Sequence, residues 1–159
     1  MTNGQENVFV EFPIDFSVAY DILYLGAKNE FEGIKTRDYI FNWTLNEFCP
    51  NPVKIFQVGA IETFKMHWRI GSGWSDLIFG EYIKKYGGNL TIADINLDHL
   101  SHSAMASTSL KYPITMHYGD ALNSISQEDH DIYYLDGSND PQETLDQFNK
   151  IKYKRCIVL

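Results

Sequence analysis

The 159-residue chain predicts an α/β fold, a doubly wound and mostly parallel sheet with helices on both faces. Three observations carry this. From residue 53 onward, short apolar runs alternate with longer stretches of helical spacing. Glycine, proline or aspartate bounds each run, and three successive runs end in an aspartate. Strands alternating with helices are the mark of a parallel sheet covered on both sides.

The elements follow in order. Residues 1–52 read as an N-terminal extension with a helix, and residues 53–159 as the main domain. Within the extension, residues 8–12 alternate like a strand until Pro13, and the aromatic-rich stretch to Gly26 shows no clear period. Over residues 36–48, Ile40, Phe41, Leu45 and Phe48 recur at helical spacing, and Cys49-Pro50-Asn51-Pro52 stops the pattern. The first strand of the main domain is 53–58, ending in Gly59, and a loop runs to Gly73. Ser75 then caps a helix through Leu77, Ile78, Phe79, Tyr82 and Ile83, which Gly87-Gly88 terminates. A strand over 90–93 ends in Asp94, a helix covers 97–110, and a strand over 113–117 leads to Gly119-Asp120. The fourth strand, 131–135, ends in Asp136-Gly137; 141–151 reads as a helix and 155–159 as a fifth strand.

Composition narrows the function classes. With 44% hydrophobic residues, 21% charged residues and a mean hydropathy of -0.27, the chain carries no apolar run near the ~20 residues of a membrane helix. Its first seven residues lack the basic-then-apolar pattern of a secretory leader, so a cytoplasmic protein is expected. Two cysteines, Cys49 and Cys156, are too few and too far apart for a disulfide framework and read as packing residues. Asn42-Trp43-Thr44 matches a glycosylation acceptor by chance only. A net charge of -8 argues against nucleic acid as a partner, because gripping phosphates needs clustered Lys and Arg.

In an open parallel sheet, ligands bind beyond the carboxyl ends of the strands. That rim is where this sequence is unusual. Glycine follows the first strand, and Asp94, Asp120 and Asp136 close the next three. Asp94 stands about twenty residues after Gly73, the spacing at which an acid reaches the ribose hydroxyls of a nucleotide. Gly71-Ser72-Gly73 is not a full dinucleotide fingerprint, since Asp76 takes the place of the third glycine. A carboxylate there would repel a pyrophosphate, which disfavours an NAD-dependent oxidoreductase.

Residues 53–63 (VKIFQVGAIET), 71–88 (GSGWSDLIFGEYIKKYGG) and 92–96 (IADIN) together resemble class I SAM-dependent methyltransferases. Tyr118-Gly119-Asp120-Ala121 and Tyr134-Leu135-Asp136-Gly137 fall where that family has its third-strand acid and fourth-strand motif. The resemblance implies a Rossmann-like sheet of order 3-2-1-4-5 and S-adenosyl-L-methionine (SAM) as cofactor. It places Gly59, Ala60, Gly73, Trp74 and Ser75 along the methionine and ribose, Asp94 on the ribose, and Asp120 with Ala121 on the adenine. Gln57 stands where the family often has an acid. For a hydroxyl acceptor, Asp136 is the candidate base, or one ligand of Mg²⁺; other ligands in related enzymes follow the fifth strand, where this sequence has ended, so a complete metal site is not expected.

The implied function is methyl transfer to a small molecule. The alternatives are a shortened module that binds SAM or a partner without transfer, a SAM-using enzyme that does not methylate, and the disfavoured oxidoreductase. In the order 3-2-1-4-5 the fifth strand lies on the outside. Cys156-Ile157-Val158-Leu159 is apolar on both faces, so either association through this edge or a longer parent protein is expected. His99 and His102 read as an exposed helix face rather than a zinc pair, and His67, Trp68 and Arg69 as loop packing.

Overall fold

The computed structural model describes residues 43–45, 47, 52–63, 75–152 and 157–158. The extension's expected strand at 8–12 lies outside them, as do Cys49, Cys156, residues 67–69, Gly73 and Trp74. Within the expected 36–48 helix, Trp43, Thr44, Leu45 and Glu47 are helical.

From residue 53 on, the described residues form β1 (Val53–Val58), α1 (Ser75–Tyr86), β2 (Gly88–Asp94), α2 (Leu97–Leu110), β3 (Ile114–Tyr118), α3 (Ala121–Ser124), β4 (Ile132–Leu135), α4 (Pro141–Lys150) and β5 (Ile157–Val158). The strands form one sheet in the order β3-β2-β1-β4-β5, every pair parallel. This is the expected doubly wound α/β architecture, with β1 in the middle.

Alternation along the central strands feeds two cores. Val53 and Ile55 of β1, Leu90 and Ile92 of β2, and Ile132 and Tyr134 of β4 pack with Ile78, Phe79, Tyr82 and Ile83 of α1, Leu100 of α2, and Leu45. On the other face, Phe56, Val58, Ala93 and Tyr133 meet Ala121 and Ile125. Each fully buried Ile, Leu or Phe contributes about 1.5–3 kcal/mol, so the strands are held mainly from their faces. The Tyr82 hydroxyl donates to the Leu45 carbonyl at 2.8 Å, which ties the helical segment before β1 to α1.

Local chemistry sets the ends. Asn96 caps α2 by accepting from the Asp98 amide, and Lys111 closes that helix with φ of 58°. Asp140 caps α4, with Pro141 at its first position. At Gly88, φ is +128° and a β-carbon would lie 2.0 Å from the Val53 carbonyl oxygen, so the α1–β2 turn needs a residue without one.

Candidate functional site

The carboxyl ends of β1, β2 and β4 meet in a cleft of about 290 Å³. Gln57, Gly59, Ala60, Glu62, Ser75, Asp94, His99, Asp136, Gly137, Ser138 and Asn139 line it. Of the residues singled out in the sequence, Gly59, Ala60, Ser75, Asp94 and Asp136 therefore come together there. Asp120 and Ala121 do not. Asp120 caps α3, accepting from the Leu122 amide at 2.9 Å, and Ala121 turns into the core beside Phe56 and Val58.

The turn after β1 is pinned at each residue. Gly59 donates its amide to the Ala93 carbonyl at 2.9 Å and takes φ of +93°; a β-carbon on it would stand 2.6 Å from the Asp136 carbonyl oxygen. Glycine is thus required both by conformation and by the closeness of the β4 exit. Ala60 donates its amide to Asp94 Oδ2 at 2.9 Å, and Ile61 donates its amide to Ser103 Oγ at 3.0 Å. His102 Nδ1 donates to the Ile61 carbonyl at 3.1 Å.

Asp94 is the hub of the β2 exit. Its Oδ1 accepts from the Asn96 amide at 2.7 Å, and its Oδ2 also accepts from His99 Nδ1 at 3.3 Å. Asn96 in turn donates to His99 Nε2 at 3.1 Å, which fixes the ring's orientation and the Nδ1–H tautomer. His99 is thus part of the cleft wall and not a bystander on an exposed helix face. Its two-position offset from the start of α2 gives no periodic signal, because only the turn at Asn96 swings it back onto Asp94.

Beneath the turn lies Asp76, which is 2% exposed. Gln57 Nε2 donates to Asp76 Oδ1 and to the Gly59 carbonyl, each at 2.6 Å, and the Ser103 hydroxyl donates to Asp76 Oδ2. Burial, the largest cause, pushes the Asp76 carboxyl up to about 6, against the bonds from Ser103 and Gln57. The expectation that Asp76 faces a ligand's phosphates is corrected: its side chain points inward, to Gln57 and Ser103. On the other side of the cleft, the Tyr134 hydroxyl donates to Asp136 Oδ2 at 2.6 Å.

No group of three or more His, Cys, Asp or Glu side chains converges as a metal site among the described residues, so Asp136 gains no partners for Mg²⁺. Among the same residues no helix is long and apolar enough to cross a membrane.

No family model and no curated protein matches the chain. Solved structures do. One is the E81Q mutant of MtNAS, at 10% identity and a TM-score of 0.61 over 92% of this chain and 49% of that one. Another is a SAM-dependent methyltransferase from Geobacter sulfurreducens in complex with S-adenosyl-L-homocysteine, at 14% identity and a TM-score of 0.54 over 92% of this chain and 54% of that one. The chain has the class I SAM-dependent methyltransferase fold. A methyltransferase from Thiobacillus denitrificans, also in complex with S-adenosyl-L-homocysteine, matches with a TM-score of 0.53 at 14% identity, over 92% of this chain and 54% of that one. The chain spans about half the length of these three structures, and in it the cleft lies at the ends of β1, β2 and β4.

Proposed function

We propose that the cleft binds SAM and that the protein transfers its methyl group to a small-molecule acceptor. The observation that carries this reading is the charge of the wall: Glu62, Asp94 and Asp136 line the cleft, and no Lys or Arg is among its described lining residues. A pyrophosphate would be repelled by three carboxylates in so small a space, whereas a ligand bearing a sulfonium and an ammonium is attracted. The structures in complex with S-adenosyl-L-homocysteine support the same choice by fold.

Asp94 is then the ribose anchor. Its three bonds to Ala60, Asn96 and His99 fix the carboxylate before a ligand arrives, so little ordering cost remains on binding. The turn at Gly59 and Ala60 lies along the methionine portion, with Ser75 at the start of α1. Ile95, 73% exposed beside Asp94, offers an apolar surface for the adenine; with Asp120 engaged as a cap, it is the better candidate for that contact.

SAM supplies an activated methyl group whose transfer leaves S-adenosyl-L-homocysteine and a proton from an O–H or N–H acceptor. The protein's share is alignment of donor and acceptor and reception of that proton. Asp136, exposed at the cleft edge and held by Tyr134, is the proposed base. Incubation with SAM and a pool of candidate acceptors, followed by chromatography, tests the activity. S-adenosyl-L-homocysteine appearing only when acceptor is present is the expected result; cleavage of SAM without an acceptor would assign a different reaction, and no turnover a binding module.

A further inference from the structure

Two ends of the turn after β1 depend on one buried group. Gln57 holds the Gly59 carbonyl and Ser103 holds the Ile61 amide, and both side chains donate to the Asp76 carboxylate. We propose that Asp76 is a positioning residue for the cleft, its ionised carboxylate fixing the 59–61 turn in its ligand-receiving shape through Gln57 and Ser103, and its protonation at Oδ1 releasing the Gln57 hold on Gly59.

The geometry gives the reason. A carboxylate accepts at both oxygens, as it does here; a carboxylic acid must donate from one of them. Protonation at Oδ1 sets a donor against the Gln57 amide. Gln57 has a ready alternative, because its Oε1 is buried without a partner among the described residues and can accept from the acid if the amide turns over. The turnover takes Nε2 away from the Gly59 carbonyl. Protonation at Oδ2 instead turns Ser103 from donor to acceptor, and its second lone pair still receives the Ile61 amide, so this route leaves the turn in place. Protonation at Oδ1 is therefore the route that loosens the turn.

The surroundings favour such a titration near neutrality. Burial opposes the ionisation of Asp76 most, and the charge of Asp94 at the end of β2 adds to that, while the bonds from Ser103 of α2 and Gln57 of β1 favour the carboxylate. The histidines of α2 are turned to other partners, His99 to Asp94 and His102 to the Ile61 carbonyl. Loss of the Asp76 charge also removes one negative charge from beneath a cleft proposed to take a cation.

The ligand half of the inference rests on the SAM reading; the state of the turn does not, so two measurements separate them. In the free protein, the Gln57 side-chain amide and the Ala60 and Ile61 amides are followed by NMR between pH 5.5 and 8. They are expected to titrate together with a midpoint near 6 in the wild type and in His99→Gln, and to stay still in Asp76→Asn. Unmoved signals in the wild type, or the same titration in Asp76→Asn, would overturn the proposal. Ser103→Ala keeps the carboxylate and removes one arm; its Gln57 signal is expected to titrate at higher pH, because a bond favouring the charged form is gone. An unchanged midpoint there also counts against the proposal.

Calorimetry with S-adenosyl-L-homocysteine then reads the consequence. If only the ionised form receives ligand, affinity falls about fourfold from pH 7.5 to 5.5 in the wild type and in His99→Gln, while Asp76→Asn is weak at both. Binding in Asp76→Asn as tight as in the wild type at pH 7.5 would overturn the positioning role. No binding by the wild type at either pH, with the amides titrating as expected, would overturn the SAM reading and leave Asp76 in control of the turn.

Discussion

At Asp94, one carboxylate performs two tasks that a substitution can separate. It is the proposed ribose anchor, and it is also the acceptor for the Ala60 and Asn96 amides. Asp94→Ala leaves the buried end of that arrangement without an acceptor, at a cost of about 1–3 kcal/mol in stability. It also removes hydrogen bonds to a charged group, so SAM affinity is expected to fall at least about tenfold. Asp94→Asn keeps one acceptor and is expected to fold with near-native stability while still losing affinity. Thermal melting and calorimetry on both variants check this; full affinity in a folded Asp94→Asn would move the ribose elsewhere. Gly59 carries a different constraint. Gly59→Ala forces a β-carbon toward the Asp136 carbonyl oxygen, 2.6 Å away, at a φ of +93°. Strain of this kind costs roughly 1–3 kcal/mol, and relief comes by displacing the Asp136 loop. Denaturant unfolding is expected to show the loss; unchanged stability would mean that the β1 and β4 exits are not in contact.

On the scale of elements, the first turn of α1 buries a carboxylate whose pKa lies at about 6 rather than 3.8. The native state therefore holds this proton more tightly than the unfolded chain does between those values. The sign follows: the contribution of Asp76 to stability is greatest below pH ~4, declines as pH rises to about 6, and stays low above it, a loss of about 3 kcal/mol. Other carboxylates add opposite trends, so the informative quantity is the stability of Asp76→Asn minus that of the wild type, which is expected to rise across this window. A flat difference would place Asp76 in water. The elements were also where the sequence was most legible. Apolar runs bounded by Gly and Asp placed β1 to β5 within a few residues, whereas the caps Asn96 and Asp140 emerged only from the structure. α3 was not visible, since four residues cannot display a 3.6-residue period. Asp120 shows how ambiguous rim acids are: a ligand-binding acid and a helix cap leave the same mark after a strand, and the bond from the Leu122 amide is visible only in the structure. The roles of His99, Ser103 and Asp76 depend on how α1 and α2 are rotated against the sheet, which no local pattern encodes.

For the whole molecule, the sheet order leaves β3 and β5 at its two edges. β5 pairs with β4 on one side and with no other strand among the described residues. We predict a concentration-dependent dimer through this edge; light scattering that shows a monomer at high concentration would exclude it. The parallel sheet also explains why the site lies where it does, since β1, β2 and β4 present their carboxyl ends together and the crossover turns bring Gly59, Asp94 and Asp136 to a single cleft. The charge of that cleft is the property on which the functional account depends. Calorimetric titration of the protein with SAM and, separately, with NAD measures it most directly. SAM is expected to bind and NAD to give no heat of binding; NAD binding without a SAM signal would contradict the account.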